Sequence, residues 1–208
     1  MNKILKYLAA ILAVVIVTWL SLDIRKLDDY RVSNVQVKFD ANEYAGQFWE
    51  NQLPECIRDA PDFKSVFQQL EQDPEKTFER YAHKLGISKT YYMLLKGSGT
   101  IEAVDQEFLL VRIDENTLVQ VATDFIFGNA VRDGSGKVDI NQFLNMTDFN
   151  SVSVALNKLV KEKVVVRLKK SVKTGMRIEF TGAAEINEDE IDLTLIRLIP
   201  VAVKLSDG

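Results

Sequence analysis

One cysteine and one histidine are all that 208 residues offer to disulfide, thiolate or imidazole chemistry. A lone Cys56 excludes an internal disulfide, so an oxidising compartment is tolerated without being exploited. With His83 alone, a multi-histidine metal centre is excluded, and no Cys/His zinc pattern can be assembled. Positive charge is also short. The 26 Lys and Arg against 30 Asp and Glu leave a net charge of −4 and a pI near 5.2. That balance argues against a phosphate backbone as partner, so no nucleic acid is expected. Repeats and low-complexity segments are missing too. Hydrophobic content of 47% and charged content of 27% are ordinary globular values and imply a packed core rather than a disordered tail.

What is present is organised by Ile4–Leu22, an apolar run interrupted only by Lys6. A helix rises about 1.5 Å per residue, so spanning ~30 Å of hydrocarbon takes roughly 20 apolar residues. Ile4–Leu22 reaches that length when Lys6 snorkels its ammonium into the headgroups. Lys3 and Lys6 sit on the N-terminal side, and the flank from Asp23 to Asp29 is nearly neutral. The positive-inside bias then keeps the N-terminus cytoplasmic and exports the rest. Residues 1–22 are therefore expected to be a single-pass anchor in a bacterial inner membrane, with the bulk of the chain periplasmic. A cleaved signal peptide is the competing reading; Val17 to Ser21 holds no clean small-x-small cut site.

The remainder, about 185 residues, has room for one sizeable domain. Residues 23–38 read as a tether with a short strand, from the alternation at Val35 and Val37. Residues 39–89 read as a helical subdomain. Asp40 and Glu43 have capping-box spacing, with Phe39 placed to staple against Tyr44, and Pro54 is expected to bend or end this helix. Phe63, Val66, Phe67 and Leu70 form an amphipathic stripe behind Asp62, and Asp73-Pro74 opens a third helix closed by Gly86. From residue 90 the period becomes extended. Strands are expected over 91–104, with a bulge or bend at Gly97 and Gly99, then over 107–113 and 117–122, with Phe125–Phe127 as a further extended piece. A helix from about Asn150 follows, 163–173 is open between strand and helix, and 176–186 with 191–204 close a hairpin. A helix between the third and fourth strands of five is the plan of an OB-fold. The expected class is α+β: an anchor helix, a small helical subdomain, and an OB-like five-stranded barrel over 90–208 with one helix before its last two strands.

Candidate sites are few. The loop Asn129, Arg132, Asp133 beside Gly128 can present donors to a sugar hydroxyl or carboxylate; alternatively Arg132 pairs with Asp133 and holds the loop. Asp133 to Asp139 departs from a calcium loop, with Lys137 and Val138 where an oxygen ligand and glycine belong, so no metal or cofactor is expected. Tyr44, Phe48 and Trp49 lie at helical spacing, either as core or, for Trp49, lining a sugar or peptide groove. Glu188 to Asp192 read as a solvated tip, and Glu102 with Asp105 as a strand end. His83 reads as a helix-end histidine and Cys56 as a half-buried core thiol. The basic stretch from Lys161 to Lys173 reads as a solvated face able to touch anionic headgroups. No nucleophile–base–orienter set is visible, so no enzyme is expected.

Leu27 to Tyr30, Phe39-Asp40 with Tyr44 and Trp49, Lys96 to Gly99, Gly128 to Asp133, Phe143 leading to Ala155–Asn157, Phe180 to Ala183, and Ile199 to Val201 resemble one bacterial family. It is the uncharacterised family of predicted periplasmic lipoproteins known as DUF2291, and the resemblance covers essentially the whole exported part. Its members tend to be encoded beside ribose-type sugar ABC transporter genes, which implies a place near carbohydrate uptake and no mechanism. This chain departs by lacking a lipobox cysteine, which favours the transmembrane anchor over lipidation. The expected function is a membrane-tethered periplasmic accessory protein that binds a protein partner, such as a sugar ABC transporter component. The alternative is a carbohydrate or small-molecule binder using the barrel face and the Arg132 loop.

Overall fold

The structure is a computed structural model that describes residues 11–12, 16–19, 39–191 and 193–206. Most of the expected anchor, and all of the tether strand at 31–38, lie outside the described residues. Among the described residues no helix is long and apolar enough to cross a membrane. Met1–Phe39 and Asp40–Gly208 form separate units, and the architecture below is that of the second.

Four short helices come first, each started by its own cap. The Asp40 carboxylate accepts from the N–H groups of Asn42 (2.8 Å) and Glu43 (3.1 Å), opening α1, Ala41–Asn51. Pro54 does not end this helix. It sits in the first turn of α2, Leu53–Asp59, where its missing N–H has no intrahelical partner to lose. Asp62 caps α3, Phe63–Gln72, whose stripe Phe63, Val66, Phe67 and Leu70 is fully inside, as the period required. Asp73 caps α4, Pro74–Tyr81. That helix stops well before Gly86, because the backbone of His83 turns to exchange hydrogen bonds with Tyr92 (2.7 and 2.8 Å); Gly86 instead makes the following turn at φ +55°.

The strands are β1 Thr90–Val104, β2 Phe108–Arg112, β3 Leu118–Ala122, β4 Arg177–Asn187 and β5 Leu195–Ser206. They close into a barrel in the order β1-β2-β3-β5-β4, and β4 pairs back onto β1. Every pairing is antiparallel except β3 with β5. β1 serves both halves, pairing with β4 from Thr90 to Thr100 and with β2 from Thr100 to Val104. Gly99 sits where the two halves meet. A Cβ there would collide with the Arg112 carbonyl oxygen and lie 2.7 Å from Val111 Cγ1, so this crossing admits only glycine. The interior is apolar, with Met93, Leu95, Val111, Val119, Ile178 and Leu198 buried, and α3 shares that core. Phe63 stacks on Phe67 at 4.0 Å and meets Phe180 edge-on.

The β3–β4 connection carries α5 Ala130–Gly134, a 3-10 turn Ile140–Gln142, α6 Met146–Leu159, a π-helical stretch Val160–Val165 and α7 Val166–Ser171. The α6 helix begins earlier than the apolar period suggested, because Asn145 caps it by accepting from the Asp148 N–H at 2.9 Å. Residues 163–173, open between strand and helix, are helical to Ser171. The π stretch carries the helix on without a break, and Val165 and Leu168 are buried beneath it.

Candidate functional site

After β3 the chain makes a tight, braced turn. The N–H groups of Thr123 and Asp124 donate to the Glu107 carbonyl at 2.8 and 3.0 Å, and the Phe125 N–H donates to its neighbour's Asp124 Oδ1 at 2.9 Å. Arg197, from β5, donates through Nη2 to the carbonyls of Asp124 and Phe125, both at 3.3 Å, and its guanidinium lies 6.0 Å from the Phe127 ring centroid. Phe125 is held at φ +48°, the one non-glycine described residue in the left-handed region. The extended piece expected at 125–127 pairs with no strand among the described residues. Its alternation survives in a different form: Ile126 is buried, while Phe125 and Phe127 are 53% and 66% exposed.

Beneath this loop lies a groove of about 500 Å³ between the loop and α6. Ile126, Phe127, Asn129, Asn150, Ser153 and Asn157 line it, with Val154, 71% exposed, Lys158 and Lys161. Its polar floor is cross-linked. Ser153 Oγ donates to Asn129 Oδ1 at 3.0 Å, and Asn157 Nδ2 donates to the Gly128 carbonyl at 2.9 Å. The carbonyl acceptor fixes which way the Asn157 amide points. Its Oδ1 is left buried and unpaired, alone among the buried side-chain polar atoms of the described residues.

Behind the groove two of the three expected loop residues, Arg132 and Asp133, bond to each other. Arg132 is 1% exposed. Its Nε and Nη2 donate to the two oxygens of Asp133 at 2.7 and 3.0 Å, and Nη1 donates to the Phe149 carbonyl at 3.1 Å and to Asn150 Oδ1 at 3.2 Å. The guanidinium carbon stacks 3.6 Å from the Phe149 ring centroid. Of the two readings of this loop, the one in which Arg132 pairs with Asp133 is the one observed. The guanidinium has no solvent-facing donor to offer a sugar. Asn129 alone of the three reaches the groove.

The aromatic candidates separate as well. The Tyr44 hydroxyl donates to Gln142 Oε1 at 3.0 Å and its ring meets Phe143 edge-on, which ties α1 to the β3–β4 connection; burial pushes its phenol pKa up. Trp49 lines a different groove, with Lys163 above its ring at 5.7 Å. His83 is half-buried against Gly136, and burial lowers its pKa although the charge of Asp133 opposes the shift. Cys56 donates to the Ser135 carbonyl at 3.8 Å, and burial raises its thiol pKa. Glu102 forms an ion pair with Arg112. Asp139 caps the 3-10 turn by accepting from the Asn141 N–H at 2.9 Å.

Phe125, Phe127, Ser153, Asn157 and Arg197 were not anticipated. The signal for the loop was in the sequence: two phenylalanines flanked by aspartate, glycine and asparagine, the residues of turns rather than of strand interiors. No pattern announced Arg197, which lies in a strand far along the chain.

Residues 12–204 match the model of the DUF2291 family, described as predicted periplasmic lipoprotein. The chain belongs to that family. Among solved structures, the crystal structure of an OB-fold protein from Thermotoga maritima is similar, with a TM-score of 0.72 and 26% identity over 81% of this chain and 99% of that one. No curated protein matches.

Proposed function

We propose that this DUF2291 member is a non-enzymatic extracytoplasmic interaction module, tethered to the membrane through Ile4–Leu22, that engages a protein partner with Phe125 and Phe127. The observation that carries this reading is the braced, strained loop. A bulky residue in the left-handed region costs about 1–2 kcal/mol, and an exposed phenylalanine forgoes a further ~2 kcal/mol of burial. Rigid, pre-positioned aromatics of this kind are what binding hot spots are made of. Lys158, Lys161 and Arg197 surround the apolar surface, so the matching segment brings apolar side chains with carboxylates beside them. A sugar ABC transporter component is the partner proposed, as the family resemblance implies. The non-enzymatic part is supported by the state of the reactive groups. The Asp133 carboxylate is bonded to Arg132, and the Cys56 thiol is shifted away from the thiolate a nucleophile needs.

The test is a crosslinked pull-down of the full-length protein from its native membrane, beside a Phe125→Ala/Phe127→Ala variant. Recovery of a permease or solute-binding protein by the wild type and its loss from the variant supports the reading; equal recovery by both removes the loop from it. A blank from both moves the weight to a second reading, a carbohydrate held in the same groove. The unpaired Asn157 Oδ1 favours that reading, because a buried acceptor asks for a donor the chain itself does not supply.

A further inference from the structure

A second groove, about 820 Å³, runs between α1, the helical stretch Val160–Ser171 and β5. Leu168, Val201 and Val203 give it an apolar wall, and Trp49, Lys163 and Arg167 stand around it. Lys163 leans over the Trp49 ring and pairs with Glu50, whereas Arg167 is exposed and makes no ion pair among the described residues. Val166, 47% exposed, lies between the two cations in sequence. Charge is segregated here to an unusual degree. From Lys163 to Lys173 there are five Lys or Arg and no acid, a net of +5; the whole chain carries −4, so all the other residues together carry −9.

We propose that this face is a docking surface for anionic phospholipid, with the headgroup phosphate on Lys163 and Arg167 and the Trp49 indole at the level of the headgroups. Three observations choose this occupant. The surface is a cationic island on an acidic protein, so it is attracted to an anionic leaflet while the rest of the molecule is repelled. Its chemistry is that of an interfacial surface, with a tryptophan and long cations beside apolar side chains, and a water-soluble anion has no use for the apolar wall. The third rests on the tether proposed above: if Ile4–Leu22 holds the chain at a membrane, an anionic bilayer is the surface at hand. The surface is separate from the aromatic loop, so each can fail without the other.

The test uses the full chain with Trp19→Phe, which leaves Trp49 as the sole tryptophan, reconstituted in phosphatidylcholine vesicles with or without phosphatidylglycerol. Trp49 emission is read with brominated lipid as quencher. Docking predicts a blue shift and quenching that require phosphatidylglycerol, vanish at high ionic strength, and need roughly tenfold or more additional phosphatidylglycerol in Arg167→Glu/Lys170→Glu. Both substituted side chains are exposed and without ion pairs among the described residues, so circular dichroism should be unchanged and loss of fold is separable from loss of docking. Equal quenching in neutral vesicles, or no effect of the charge reversals, overturns the proposal. A Trp49 response to soluble glycerol phosphate without anionic lipid assigns the groove to a free organic phosphate and also overturns it. A response to poly-glutamate but not to phosphatidylglycerol assigns the face to an acidic protein and does the same.

Discussion

The β3–α5 connection and the short helix it enters follow one another in the chain and treat their side chains in opposite ways. In Phe125–Phe127 two large rings stand in solvent on a strained backbone, whereas in α5 an arginine is among the most deeply buried side chains of the protein. The difference shows what burial depends on. A guanidinium is tolerated inside when it is neutralised and its donors are met, and Arg132 has both Asp133 oxygens, a carbonyl, an amide oxygen and an aromatic face. A phenylalanine is left outside when the chain spends its local bonding on fixing the backbone instead, as Asp124 and Arg197 do at Phe125. The first region is bonded into the fold; the second leaves two rings in solvent.

The strongest way to break this comparison is Arg132→Ala. If the pair is structural, the variant strands a carboxylate with 4% side-chain exposure and loses about 3–5 kcal/mol in a denaturant titration. A loss below ~1 kcal/mol would mean that the cation is held for some purpose other than the fold. The opposite sign is expected at the other region. Phe125→Gly relieves the left-handed strain, so stability should rise by up to about 1 kcal/mol while partner capture falls. A destabilised Phe125→Gly would show that the ring packs rather than displays.

The smallest effect, and the sharpest, concerns His83, whose resonance is the only histidine signal in a proton NMR titration. Burial holds its pKa below the ordinary value of about 6.5. The unfolded chain therefore takes up the proton first as pH falls. The contribution of a neutral His83 to stability is complete above about 6.5 and is lost as pH drops from there through the folded value. A midpoint at or above 6.5 contradicts this. In Arg132→Met the Asp133 charge facing His83 is no longer neutralised, so the midpoint should move upward; no movement would mean that the two sites are uncoupled.

Much of the fold was legible because local chemistry and tertiary structure agree. Asp40, Asp62 and Asp73 cap where capping chemistry put them, the Phe63–Leu70 stripe is inside, and Gly97 and Gly99 lie in the long strand shared by both halves of the barrel. Where one residue type serves two structures, the reading failed or stayed open. A β-branched run such as Val164–Val166 suits a buried strand or a buried helix equally, and only its attachment to α6 through the π stretch decides. Phe125-Ile126-Phe127 alternates as a strand does, yet has no strand partner among the described residues; Arg197 donates instead to the carbonyls of Asp124 and Phe125 at its start.

The sequence by itself determined the class of the molecule. Periodicity, caps and glycines act over a few residues, and they specify helices, strands and their order, from which the five-stranded barrel follows. The site was decided only by tertiary structure. Whether Arg132 faces a ligand or the core depends on Phe149 and Asn150, and whether Phe125 is exposed depends on Arg197; these residues are brought close by barrel closure and by the packing of α6, not by spacing. Contacts between residues distant in the chain leave no local period, and so the residues that fold this protein could be read in advance while the residues it displays could not.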